Sequence, residues 1–197
     1  QFGMVCLAET PEGAPVGLVK NMSLSTHVTN NTSSALIRDM LEEMGVKLYG
    51  DNIADPIEFL KRMGDIKSVS VMVNGDLVGF HEDPKSFYDQ MKHLKITGSI
   101  PPKTSIVWDI PKNTISISTE AGRLCRPLYV VDGEGDSKNL RISASMLTEF
   151  TRFDDLIHGG DNEKGGCIEF MDVDEIDKAM VAMFHDHLKK GIKGTSL

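Results

Sequence analysis

The sequence predicts an α+β fold, with helices and antiparallel strands in clusters rather than in strict alternation. Three observations carry this. Val69, Val71 and Val73 alternate with smaller or flexible residues, and Asn74-Gly75 then leads into Asp76 to Phe80. Asn-Gly between two such runs favours the tight turn whose twist suits paired strands. Leu36, Ile37, Met40, Leu41 and Met44 recur at helical spacing, as one apolar helix face requires. Three strand-like runs, Thr104 to Ile110, Thr114 to Thr119 and Leu124 to Val131, then follow with short turns between them.

From the start, Gln1 to Asn30 is turn-rich, because Pro11, Gly13, Pro15 and Gly17 block any long helix. Met22 to Val28 reads as extended or as a short helical piece. Ser33-Ser34 caps a helix to about Met44, with Gly45 as its stop. A short helix is expected from Pro56 to Met63. After the hairpin, a helix from Pro84 to Ile96 presents Phe87, Met91 and Leu94 on one side, and Gly98 ends it. Pro111-Lys112-Asn113 and Ala121-Gly122 turn the chain between the three strands. Asp132 to Asn139 is a polar loop. Ser143 to Thr151 reads as helix, Ile168 to Met171 as strand and Asp174 to Met183 as helix. Lys189 to Gly194 reads as a mobile tail. Gly98 and Pro101-Pro102 interrupt the pattern, so a boundary is expected near 98–103. The chain then divides into 1–30, an α+β unit at 31–100 and a β-rich unit at 101–197.

The 197 residues carry 21 basic and 29 acidic side chains, a net charge of −8. That balance argues against an autonomous nucleic-acid-binding domain, which shows a basic excess. It allows a component that sits beside nucleic acid within a more basic assembly. No apolar run reaches membrane-spanning length, so no membrane partner is expected. Cys6, Cys125 and Cys167 are far apart and form no C-x-x-C, which suggests neither zinc ribbon nor disulfide framework. The chain opens on Gln1 within the apolar run Phe2 to Leu7, which leads us to expect an internal piece of a longer protein.

The informative run is Ala8 to Asn21, AETPEGAPVGLVKN. Pro11 and Pro15 fix their own φ and bias the residues before them toward extended geometry. Gly13 and Gly17 permit positive φ or close approach of another chain. Glu9 and Glu12 project from this frame, with Lys20 not far behind. Physical chemistry alone makes this a rigid surface loop, shaped by Thr10, Pro11, Gly13 and Gly17, with a possible ion pair.

E-T-P-E-G followed by G-L-V-K-N resembles the signature of the second-largest subunit of archaeal and eukaryotic multisubunit RNA polymerases. It also resembles the E-T-P-E-G of the bacterial β subunit. Gly3-Met4-Val5-Cys6 fits that family's G-x-V-C, and Val73 to Gly79 its glycine hairpin. Thr119 to Leu128, TEAGRLCRPL, is similar to its T-D-x-G-R-x-x-R-P-L strand. Phe153 to Leu156 and Ile168 to Asp172 resemble two further pieces. Cys6-Leu7 stands where the family has Cys-Pro, and Ala14-Pro15-Val16 replaces a different small-residue trio. These departures keep a divergent viral polymerase open as the source.

The resemblance implies a part of a DNA-directed RNA polymerase, a nucleotidyltransferase. The piece would comprise the end of the fork (1–30) and two outward domains resembling those called external 1 (31–100) and external 2 (101–197). It implies magnesium held mainly by an aspartate cluster on the largest subunit, a cluster this chain lacks. No catalytic residue and no metal ligand is therefore expected here, and the chain alone is expected to be inactive. Glu9, Glu12 and Lys20 are the expected nucleotide-vicinity residues. The implied partners are the largest subunit, the rest of its own subunit, template DNA, RNA and nucleoside triphosphates. The implied location is the nucleus, with a virion, virus factory or archaeal cytoplasm as alternatives.

The residues also support plainer readings. Arg123 and Arg126 lie three apart on a strand, on opposite faces, which favours structural ion pairing over a joint phosphate clamp. Asp172, Asp174, Glu175 and Asp177 read as a solvated acidic helix start. Met180, Met183 and Phe184 read as core. Cys167, His185 and His187 match no standard zinc spacing. The competing functions are a stand-alone interaction module sharing the fold and an independent nucleotidyltransferase.

Overall fold

The computed structural model describes residues 2–48, 68–133, 138–149, 152–159 and 165–189. The expected helix at 56–63 and the tail beyond 189 lie outside the described residues.

The larger unit is a five-stranded sheet covered on one face by two helices. Its strands are β2 (Lys47–Leu48), β3 (Val69–Val73), β4 (Asp76–His81), β5 (Ser105–Asp109) and β6 (Thr114–Ser118), in the order β2-β4-β3-β6-β5. β1 (His27–Val28) belongs to a second sheet. The β3–β4 hairpin turns at Asn74 and Gly75, both at positive φ (52° and 87°), the geometry this dipeptide favours. Val69, Val71 and Val73 are fully buried while Ser70 and Met72 face the other way.

The helices are α1 (Ala35–Glu43) and α2 (Pro84–Ile96). α1 ends at Gly45, whose φ of +84° lets Gly45 N–H reach Glu42 O and Val46 N–H reach Leu41 O, a Schellman closure. α2 starts with the Asp83 carboxylate accepting from Ser86 N–H at 3.2 Å and with Pro84 in the first turn, as a helix start prefers. Ile37, Leu41, Phe87 and Met91 pack on Val69, Val71, Val73, Ile106, Ile115 and Ile117. Each such side chain contributes about 1.5–3 kcal/mol on burial.

β3 pairs with β6 in parallel, Ser70 to Val73 against Thr114 to Ile117. Strands on both sides of residues 98–103 thus belong to one sheet. The Gly98 and proline interruption links α2 to β5 and separates no two cores.

The smaller unit is a three-stranded antiparallel sheet, β1-β7-β10, with β7 (Leu124–Tyr129) in the middle and β10 (Ile168–Asp172) beside it. Pro127 sits in β7 without breaking it. β1 pairs only with Leu124 and Cys125, so one side of β7 is open at Pro127, where a missing N–H is tolerated. A short ribbon of β8 (Val131–Asp132) and β9 (Asn139–Leu140) follows. Next come α3 (Ala144–Glu149) and α4 (Phe153–His158). α5 (Val173–Lys178) and α6 (Asp186–Lys189) close the described chain.

Two further expectations change. The helix expected over 174–183 ends at Lys178, and Ala179 is extended (φ −108°, ψ 149°). Met180, Met183 and Phe184 are exposed rather than core. Without an apolar face to bury, further helical turns gain too little to persist.

Candidate functional site

The loop at 8–21 is a closed excursion on a short antiparallel base. Val5 bridges Met22, and Cys6 N–H donates to Asn21 O at 2.8 Å. Thr10 ties the interior together: Gly17 N–H donates to its hydroxyl oxygen at 3.0 Å, and the hydroxyl donates to Val19 O at 3.3 Å. Asn21 Nδ2 donates to Glu9 O at 3.2 Å. Gly13 and Gly17 both take positive φ (85° and 75°), and this fixes the direction of the turn. Pro15 O accepts from Leu18 N–H and Val19 N–H.

Glu9, Glu12 and Lys20 are all exposed, and none forms an ion pair with another described residue. The loop's shape therefore comes from Thr10, Asn21 and the backbone, and its charges are free to meet something else. Its apolar residues are also outward: Leu7 is 86% exposed and Leu18 80%, with Val16, Val19, Met22 and Leu24 exposed as well.

Arg123 and Arg126 have different partners. Arg123 Nη1 donates to Asp172 Oδ2 at 2.7 Å, Nη2 to Lys103 O and Nε to Glu120 O. Its N–H also donates to the buried Thr29 hydroxyl at 3.0 Å. Arg126 forms no ion pair among the described residues. Its guanidinium lies 5.6 Å from the centre of the Phe2 ring, a cation–π contact. Phe2, Met4, Arg126, Val173, Ile176 and Met183 line a cleft of about 420 Å³ there.

The largest departure from expectation is the acidic run after β10. Asp172 and Glu175 are 4% and 3% exposed, not solvated. They form a reciprocal cap on α5: Glu175 N–H donates to Asp172 Oδ1 at 2.9 Å, and Asp172 N–H to Glu175 Oε2 at 3.3 Å. Glu175 also accepts from Lys95 Nζ at 2.9 Å on both oxygens, from Lys92 Nζ at 2.9 Å and from Ile106 N–H at 3.2 Å. Glu169 joins through Lys92 and Lys95.

Burial works against ionisation in this cluster, and opposite charge overcomes it. The Glu169 carboxyl is held below its usual range by Lys95 and Lys92 despite desolvation. Asp172 is likewise lowered against its own burial, chiefly by the Glu175 N–H and then by Ser105 and Arg123. Desolvation lowers Lys92, but Glu175 and Glu169 outweigh it and raise its ammonium well above the usual lysine value. Two signals in the sequence pointed here. Lys95 continues the buried spacing of Phe87 and Met91 on α2, and Asp172-x-x-Glu175 is a capping box.

No three His, Cys, Asp or Glu side chains converge as a cation site among the described residues. Burial pushes the Cys125 and Cys167 thiols up, which disfavours their thiolate forms. No described helix is long and apolar enough to cross a membrane.

Two family profiles match the chain. "RNA polymerase Rpb2, domain 3" covers residues 1–28, the loop included, and "RNA polymerase Rpb2, domain 4" covers residues 71–132. The second crosses 98–103, as the sheet does. The chain is 33% identical over 205 residues to DNA-directed RNA polymerase II subunit RPB2 of Meyerozyma guilliermondii, covering 95% of this chain and 16% of that protein. It is 36% identical over 186 residues to the protein of the same name from Encephalitozoon cuniculi, covering 92% and 15%. It is 32% identical over 185 residues to DNA-directed RNA polymerase III subunit RPC2 of Saccharomyces cerevisiae, covering 93% and 15%. The chain thus spans 15–16% of the length of these curated relatives. With both profiles in chain order and nearly the whole chain aligned, it belongs to the family of second-largest subunits of multisubunit DNA-directed RNA polymerases, as a segment of such a subunit.

Proposed function

We propose that this chain contributes to the active-centre cleft and outer scaffold of a DNA-directed RNA polymerase, with the 8–21 loop at the rim of the nucleotide addition site. The observation that carries the reading is the loop itself. It is internally braced by Thr10 and Asn21, yet it turns unpaired carboxylates and bare apolar side chains outward. Such a loop is complete in shape and incomplete in contacts, as expected of a part that works against other polypeptides.

In this reading Glu9 orients a basic side chain of the assembly that in turn meets the triphosphate, since a carboxylate repels phosphate directly. Glu12 and Lys20 are secondary participants. Magnesium would serve the in-line transfer by stabilising the attacking and leaving oxygens, held by the largest subunit. The outer residues 31–100 and 101–197 correspond to the external 1-like and external 2-like parts, sharing the five-stranded sheet. Partners are the largest subunit, the rest of the same subunit, template DNA, RNA and nucleoside triphosphates. The compartment is the nucleus for a eukaryotic source, the cytoplasm for an archaeal one, or a virion or virus factory for a viral one.

Affinity purification of the tagged protein from its source tests this. We expect a larger subunit to co-purify and the preparation to make RNA from a DNA template. Recovery as a single polypeptide without RNA synthesis would favour the stand-alone interaction module instead.

A further inference from the structure

Among the described residues two apolar clusters do not merge. One lies under the five-stranded sheet, from Ile37 to Ile117; the other is the small group of Cys125, Ile157 and Phe170 around the three-stranded sheet. Between them lies the ionic network. Lys92 and Lys95 come from α2, on the first unit. Glu169 and Asp172 come from β10 and Glu175 from α5, on the second. Arg123, at the start of β7, pairs with Asp172 and donates to Lys103 O just before β5.

We infer that this network of three cations and three carboxylates is the clasp that sets how the loop-bearing three-stranded sheet sits on the five-stranded sheet. Apolar contact is non-directional and tolerates sliding. Charged hydrogen bonds are short and angular, and a buried set is satisfied in one arrangement only. Each carboxylate here is shared across the junction or capped. Glu175 takes Lys92, Lys95, the Ile106 N–H of edge strand β5 and the Asp172 N–H. A small rotation between the sheets would leave several of these groups buried and unpaired.

The network also reaches the loop. Thr29, directly after β1, accepts from Arg123 N–H, donates to Glu120 O and is buried. β1 leads back within five residues to Met22 at the loop base. Glu175 and Lys95 are therefore positioning residues for the 8–21 loop, acting through Asp172, Arg123 and Thr29 without touching it.

Residual dipolar couplings on the 197-residue chain read this out. In the unaltered protein both sheets should fit one alignment tensor. In Glu175→Gln, which keeps the shape and removes the charge, each sheet should still fit its own tensor, but a shared tensor should fail. Lys95→Met with Glu175→Leu supplies a second variant that fills the space with apolar groups. It should fold and show the same loss of a common tensor. A single tensor with unaltered orientation in either variant overturns the inference. So does loss of both sheets in both variants, because the network would then belong to the folding core rather than orient two cores.

Discussion

Lys95 and Glu175 meet 2.9 Å apart through both carboxylate oxygens, each nearly inaccessible to solvent, although 80 residues separate them in the chain. Removing one partner strands the other charge in a desolvated site, which costs about 3–5 kcal/mol. Urea unfolding of Lys95→Ala should show that loss, and the Lys95→Met, Glu175→Leu double variant should lose distinctly less than either single truncation. Equal losses would mean that space filling, not charge, dominates here.

Stability should depend on pH at both extremes. Glu169 and Asp172 ionise more easily folded than unfolded. Their contribution is present above the unfolded values of about 4.3 and 3.9 and is lost as pH falls through the lower folded values. Lys92 holds its proton more tightly when folded. Its contribution is present below the unfolded value of about 10.4 and is lost as pH rises through the folded one. Tyr88, raised by burial, acts in the same direction. The urea midpoint should be flat between about pH 6 and 8, falling below about pH 4 and above about pH 10.

The hairpin offers a local test. Asn74 adopts positive φ, accepts from Thr119 N–H at 2.8 Å and donates to Thr119 Oγ1 at 3.0 Å, thereby pinning the end of β6. Gly75→Ala should destabilise by about 1 kcal/mol through the turn alone. Asn74→Ala should lose about 1–3 kcal/mol, because the Thr119 N–H also loses its partner. Thermal unfolding of the two variants separates these amounts.

Gly166 allows β10 to approach α4. A Cβ there would overlap the Ile157 carbonyl, so Gly166→Ala must push the two apart. Cys167 is buried directly beside it, with its thiol pKa raised by that burial. Thiol labelling under native conditions should be slow at Cys167 in the unaltered chain and at least tenfold faster in Gly166→Ala, in keeping with reactivity controlled by exposure and ionisation.

Much of the fold was legible because it is written locally. The Asn74-Gly75 turn, the bounds of α2 and the β5 to β7 runs all follow from residues within a few positions of one another. The parallel pairing of β3 with β6 was not legible, since nothing local marks two strands as neighbours across a helix and a proline turn. The buried carboxylates were misread for a related reason. Asp174 and Asp177 are exposed, as a solvated face requires, but Asp172 and Glu175 are buried once Lys92, Lys95 and Arg123 arrive from distant segments. At the loop the sequence led to its stiffness and its exposed charges. It named Thr10 among the shaping residues but did not reveal that Asn21 joins it in bracing the loop.

Single-nucleotide incorporation by the assembled polymerase carrying Glu9→Ala bears most directly on the central claim. Glu9 is exposed and its side chain makes no hydrogen bond or ion pair among the described residues, so stability should stay within about 0.5 kcal/mol and assembly should be unaffected. Incorporation should slow on the order of 10- to 100-fold, or discriminate differently between nucleotides, as misplacement of a catalytic neighbour does. Incorporation and discrimination equal to those of the unaltered enzyme would contradict the account and leave Glu9 as an ordinary surface residue.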